Sequence, residues 1–361
     1  VSWHDDARAR FPRLEECIYL NTAAVGLAWS GQGAAAAAFY DRLLREGYDA
    51  RQAWRTGSES ARARVARLVG VGDERVQFAA NTTDALNQVA AGLSWQPGDR
   101  VLVAADEFPS VRFAWAAAGR AGARVVEVPV AREADREQRL IAALEPGVKV
   151  LAVSHVHWET GTRVDLECLA RACRANDTLL VVDGIQALGA VPVDAAHADA
   201  YCAATFKWLL SGFGLAVWVV GERLQARLVP AVRGYLNPPP SEGLQAAHWN
   251  HPGLHVLDAT LAMLESIGWS RIHAQVDSLA TALHAALGAA GFEVITPAHA
   301  RAGIVAARVD DPMRVAARLD SLGIRVEPRG AGIRASTHFY NSDEDVARFV
   351  EALRSVARAP R

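Results

Sequence analysis

Two residues of this chain, Asp183 and Lys207, pair a carboxylate with an amine in settings that suit chemistry on a carbonyl compound. Asp183 ends the apolar run TLLVVD (178–183) and opens DGIQALG, while Lys207 lies in ATFKWLLSGFG after the short strand-like YCAA. A lysine flanked by Phe206, Trp208, Leu209 and Leu210 sits among apolar groups. Burying its charge is costly there, which lowers the ammonium pKa and favours the neutral amine that attacks a carbonyl. An acid at the carboxyl end of a strand can hold a cofactor's ring nitrogen protonated. Taken singly, Asp183 reads equally well as a helix cap and Lys207 as a side chain that reaches the surface. NTTDALN (81–87) puts two hydroxyls beside the free N–H groups of a helix start, an arrangement that serves an anion or an ordinary cap. His157, in SHVHWETG (154–161), taken alone reads as a satisfied polar residue of a strand-end loop. His248, His251 and His255 have helical spacing, but Pro252 interrupts them and no acidic ligand is adjacent, so no metal is expected.

The elements that must position these residues alternate along the first half of the chain. Apolar runs at 76–80, 100–104, 123–130, 148–156 and 178–183 read as strands, separated by helical runs at 83–93, 110–121, 133–144 and 165–175. Strands apolar throughout, with helices between them, predict a mainly parallel sheet covered on both faces, the doubly wound α/β class. Ligands of such sheets collect at the carboxyl ends of the strands, where Asp183 and the polar motifs fall. YLNPPPSEG, with three consecutive prolines, is a linker or an active-site loop. A helical region over 252–290 follows. Strands are then expected at 292–297, 303–309, 324–328 and 332–336, and a last helix at 342–357, together a smaller α+β unit. The predicted organisation is an N-terminal segment 1–15, a large domain 16–235, and a small domain 236–361 that opens with the linker 236–250.

Composition narrows the function classes. Over 361 residues the formal net charge is -2, without the basic excess that draws a protein to nucleic acid or an anionic membrane. Four cysteines, Cys17, Cys168, Cys173 and Cys202, are too sparse for a disulfide framework and lack zinc-like pairing. The opening VSWHDDARARF has no apolar core of a secretory signal, and no apolar stretch is long enough to span a bilayer, so a reducing cytoplasm is the expected compartment. No complete G-x-G-x-x-G, G-x-S-x-G or Walker A sequence is present.

Taken together, the stretch from LLVVDGIQALG to ATFKWLLSGFGLAVWVV resembles the class V aminotransferase family of pyridoxal 5′-phosphate (PLP) enzymes. That family includes cysteine desulfurases, selenocysteine lyases, isopenicillin epimerase-like proteins and kynureninases. The resemblance runs through IYLNTAAVG (18–26), NTTDALN, SHVHWETG and IRASTHFYNSDEDV (333–346). It implies PLP-transferase fold type I, with a seven-stranded type of sheet, and a homodimer that shares its active sites. It also implies a small amino acid as substrate and a reaction at its α carbon, most simply transamination. Elimination of a Cβ substituent, epimerisation and decarboxylation are the alternatives.

By the same resemblance, Lys207 carries PLP covalently and moves the Cα proton, Asp183 pairs with the pyridine nitrogen, and Gln186 approaches the phenolic oxygen. Thr82, Thr83 and Thr205 bind the phosphate, and Phe108 stacks on the ring where many members place a histidine. His157 approaches the phenolic oxygen or the substrate. His248 or Trp249 takes the place of a Gly-Thr pair that reaches the neighbouring subunit's phosphate. Arg334 binds the substrate carboxylate through its planar fork, with Asn21 and His338 beside it. RVEPRGAGI (325–333) has no cysteine where persulfide-forming desulfurases carry their nucleophile, which disfavours that mechanism.

Overall fold

The computed structural model describes residues 2–130 and 136–358. Its centre is a sheet of seven strands: β1 (Val76–Ala79), β2 (Arg100–Ala104), β3 (Arg124–Val128), β4 (Val148–Ser154), β5 (Leu179–Asp183), β6 (Ala200–Ala204) and β7 (Ala216–Val220). They lie side by side in the order β1-β7-β6-β5-β4-β2-β3. All the pairings are parallel except those of β7, which is antiparallel to both β1 and β6. The reason the strands read as continuous apolar runs is visible in their packing. Leu151, Val153, Leu180 and Val182 enter the core on one face of the sheet. Their alternating neighbours Val150, Ala152, Leu179 and Val181 enter a second core on the other face. The α/β class expected from the sequence is therefore the class observed.

A three-stranded antiparallel sheet lies toward the end of the chain, formed by β8 (Ile304–Arg308), β9 (Glu327–Arg329) and β10 (Gly332–Ser336) in the order β9-β10-β8. Ile18–Tyr19 joins this half of the molecule by pairing in parallel with Ile324–Arg325. The segment after it ties the two halves together: the Ser336 amide donates to the Leu20 carbonyl, and the Gly26 amide donates to the Phe206 carbonyl.

Four expected elements differ in detail. The helical region over 252–290 is two helices, His251–Ile267 and Trp269–Ala289, because Gly268 adopts φ +98° between them. The helix over 110–121 is two short ones, Pro109–Phe113 and Ala116–Arg120, with Trp115 fully buried at the junction. The strand over 292–297 is reduced to a single bridge, Val294 to Ala307. The strand over 324–328 divides, because its first residues pair with Ile18–Tyr19 and its last with β10. Of the helix expected over 133–144, Arg136–Ala142 is helical, and its start lies outside the described residues.

Candidate active site

A cavity of about 300 Å³ opens where β4, β5 and β6 end, and Ser154, Asp183, Gln186 and Lys207 line it together with Thr82, Thr83, Phe108 and Arg334. The loop after β6 sets the lysine. The Thr205 hydroxyl donates to the carbonyls of Gly212 and Leu215, and the Leu210 amide to the Lys207 carbonyl. Positive φ at Leu210, Gly212 and Gly214 then turns the chain back into β7. Lys207 is partly exposed to the cavity, with its Nζ 5.6 Å from the centre of the Phe206 ring. Enclosure lowers its pKa to about 8; Asp183 opposes that shift, while Arg334 and Arg329 add to it. Asp183 is buried, and one carboxylate oxygen accepts the Ile185 amide at 2.9 Å. Burial pushes its pKa up, against that hydrogen bond and the Lys207 charge.

Gln186 is held at both ends of its amide. Its Oε1 accepts from Trp208 Nε1 at 2.9 Å and its Nε2 donates to the Ala23 carbonyl at 3.0 Å. One wall is the start of the helix Thr82–Gly92, where the Asn81 side chain caps the Asp84 amide. The other first-turn amides have no acceptor within the helix, and the helix dipole adds positive potential at this end. Thr82 Oγ1 accepts the Ala204 amide and so joins the helix start to the end of β6, while Thr83 Oγ1 lies 2.7 Å from Ser110 Oγ. Phe108 is at the mouth, edge-to-face with Trp158 at 5.7 Å between ring centres. Arg334, on β10, is buried and spends one Nη1 hydrogen bond on the Trp158 carbonyl at 2.6 Å. Its Nε and Nη2 are buried without a partner, and Arg334 itself lines the cavity. Burial and Arg329 lower its pKa to about 10, which is still high enough to keep it charged at neutral pH.

The remaining expected contacts are placed elsewhere. His157 is buried behind the cavity, with Nδ1 at 3.0 Å from Thr160 Oγ1 and Nε2 at 3.0 Å from the Asp106 carbonyl. With both ring nitrogens engaged it braces the 154–161 turn and does not face the cavity. His338 is fully buried: its Nδ1 accepts the Phe339 amide and its Nε2 lies 3.0 Å from the Trp208 carbonyl. Burial lowers its pKa to about 3, so it is neutral. Asn21 Nδ2 donates to Glu327, and Thr205 serves its own loop. His248 lines a neighbouring cleft with Trp249 and Asp84. Trp158 lines the cavity, as does Ser154, to which sequence reasoning gave no role there. Ser154 falls at the carboxyl end of a strand, the position at which a ligand contact is expected.

These residues fit PLP. A carboxylate at the base suits the ring nitrogen, a helix start with hydroxyls suits the phosphate, an amine with lowered pKa suits the aldehyde, and a guanidinium with two unpartnered nitrogens suits an amino acid's carboxylate. Comparison with known proteins agrees. The family model described as Aminotransferase class-V matches residues 34–349. The isopenicillin N epimerase of Amycolatopsis lactamdurans is 28% identical over 343 residues, covering 83% of this chain and 85% of its own. The apo cysteine desulfurase of Thermococcus onnurineus NA1 superposes with a TM-score of 0.89 at 25% identity, over 98% of each chain. A lysine-to-alanine mutant of C-DES, with glycine covalently linked to its PLP cofactor, shares the fold at a TM-score of 0.90 and 22% identity, over 97% of this chain and 99% of its own.

Proposed function

The chain belongs to the class V aminotransferase family and is a PLP-dependent enzyme, and from that premise we propose that it exchanges the amino group of a small amino acid with a 2-oxo acid. The observation that carries this reading is the composition of the cavity wall. Among the described residues that line it, Lys207 is the only amine, and no imidazole or thiol accompanies it. Bound PLP supplies an electron sink that makes the substrate's Cα proton acidic. Arg334 holds the carboxylate through its free Nε and Nη2, which fixes the Cα near Lys207. With the cofactor bound, the neutral Lys207 Nζ would take the proton from Cα, hold it, and deliver it on the same side to the cofactor carbon that bears the amino nitrogen, not back to Cα. Asp183, at the base, balances positive charge on the ring nitrogen.

A single proton carrier suits amino-group exchange. Expulsion of a Cβ substituent is helped by an acid beside the leaving group, and inversion at Cα by a donor on the opposite face. The test is a panel of amino acids incubated with the loaded enzyme. About one equivalent of 2-oxo acid per site is expected without an acceptor, with continued turnover only when a second oxo acid is supplied. Steady release of ammonia with pyruvate, or racemisation of the substrate, would replace this reading with lyase or epimerase chemistry.

The same reading includes a homodimer. Exposed Tyr40, Leu44, Tyr48, Phe213 and Tyr235 support it, as does His248, which lies outside its own chain's cavity and is free to serve a neighbouring one. A monomer mass in solution would remove this part of the proposal. The four free cysteines support a reducing compartment such as the cytoplasm. No helix among the described residues is long and apolar enough to cross a membrane.

A further inference from the structure

Glu107 is a buried carboxylate to which the chemistry above gives no task. Its side chain is wholly enclosed after the end of β2. One oxygen accepts the Ser154 amide and Arg136 Nη2, each at 2.9 Å, and the other accepts the Ser154 hydroxyl. All three partners are donors, so Glu107 sits there as an anion. Arg136, itself buried, also donates through Nη1 to both carboxylate oxygens of Asp106, at 2.9 and 3.0 Å. Two carboxylates thus share one guanidinium; His157 Nε2 lies 3.6 Å from Asp106, but its Nδ1 accepts the Thr160 amide, the bonding of an uncharged imidazole, so these described residues keep one net negative charge.

That charge adjoins the base of the cavity. Ser154 is paired in register with Asp183 across β4 and β5, and both line the cavity. Because Ser154 gives its hydroxyl proton to Glu107, the lone pairs of its oxygen remain as acceptors next to Asp183. The other titratable groups around Asp183 do not cancel the field. Burial and Asp183 itself push Tyr201 and Cys202 far above neutrality, and burial leaves His155 neutral at a pKa of about 3. Lys207 is the cation facing Asp183, and its own proton is the mobile one.

We propose that Glu107 is a positioning residue that acts through Ser154 and Asp183 to keep a heteroaromatic ring nitrogen protonated at the base of the cavity. Removing its charge leaves a neutral Asp106–Arg136 pair and frees the Ser154 hydroxyl to turn. Both changes weaken the hold on a ring N–H. The inference rests on PLP as the cofactor and is independent of which bond the enzyme breaks.

The test uses the full chain loaded with PLP labelled with nitrogen-15 in the ring, whose NMR shift reports protonation directly as pH is varied. Glu107→Gln is expected to lower the midpoint of ring-nitrogen deprotonation by about one unit, a tenfold loss of proton affinity, while PLP retention stays within about threefold. Ser154→Ala is expected to lower it in the same direction by about 0.3 unit or more, roughly twofold. Glu107→Asp, which keeps the charge, should recover most of the shift. Unchanged midpoints in both Glu107→Gln and Ser154→Ala would overturn the proposal. So would weakened PLP retention with no change of midpoint, since that is what a purely structural role gives. If Glu107→Gln fails to fold, Ser154→Ala decides alone, and a midpoint equal to wild type overturns it. Wild-type protein that takes up no PLP would instead sink the cofactor assignment itself.

Discussion

Lys207→Ala will bind PLP without fixing it. After borohydride reduction and denaturation, wild-type chain will retain the cofactor and the variant will release all of it. Turnover should fall by about 10⁴-fold or more, because one change removes both the covalent attachment and the sole amine of the cavity able to move the Cα proton. The other lining side chains offer no substitute: Arg334, with its pKa at about 10, stays protonated, and Asp183 is held by the Ile185 amide at the base. The wild-type reaction carries its own pH signature. Lys207 has its pKa lowered from 10.5 to about 8, so the reactive neutral amine grows as pH rises toward 8 and is dominant above it. Capture of PLP by the apo protein should therefore slow about tenfold per unit below pH 8 and level off above it, followed by the appearance of the visible band. A capture rate that keeps climbing toward pH 10.5 would show that enclosure does not activate this lysine.

Arg334→Ala should have the next largest effect, and a more selective one. The buried guanidinium has two nitrogens, Nε and Nη2, with no partner in the protein, so a substrate carboxylate is what satisfies them. Loss of such a charge-assisted pair in a desolvated site costs about 2–4 kcal/mol, so kcat/KM for an amino acid should fall by about 30- to 10³-fold. PLP retention should stay within about threefold, because Arg334 lies on β10, whereas the residues proposed to hold the cofactor lie at the end of β5, at the start of the helix Thr82–Gly92 and in the loops beside the central sheet. Arg334→Lys should recover only part of the loss, since a point charge does not reproduce the fork. The control is a simple amine without a carboxylate, whose slow reaction should be the same in wild type and variant. An equal loss for both substrates would strip Arg334 of its role.

What the sequence made legible, and what it hid, separates along physical lines. β4 and β5 are plain in the sequence because a parallel strand buried on both faces must be apolar at every position. Asp183 and Lys207 are legible because a charge at the end of such a run has to answer to something. The direction of a side chain in a loop is another matter. His157 reads from its motif either as a cofactor or substrate contact or as a satisfied polar residue of the loop. Its turn, in which Gly161 has φ +73° and a Cβ there would overlap the Ile304 carbonyl, aims it at Thr160 and Asp106. The pairing of Glu107 with Arg136, 29 residues apart, leaves no periodic trace, because neither residue repeats and their meeting depends on where the turn after β2 and the helix Arg136–Ala142 come to lie. Gly268 is ambiguous for a similar reason, since one glycine in a helical pattern is tolerated as often as it breaks the helix.

The segment around residues 18–26 bears on the order of events during synthesis. Asn21 bonds Glu327 across 306 residues, the Ala23 carbonyl accepts from Gln186, and a Cβ at Gly26 would overlap the Lys207 carbonyl. Strands β4 to β6 and the lysine loop can assemble on the ribosome long before β10 has emerged, but this segment cannot complete its contacts until it has. A wall of the cavity is therefore closed by the slowest class of contact, one between distant parts of the chain whose loop entropy must be met before any reward arrives. Tight retention of the cofactor then reports that translation is finished and that both halves have found each other, and the bound cofactor in turn shifts the equilibrium toward the closed chain.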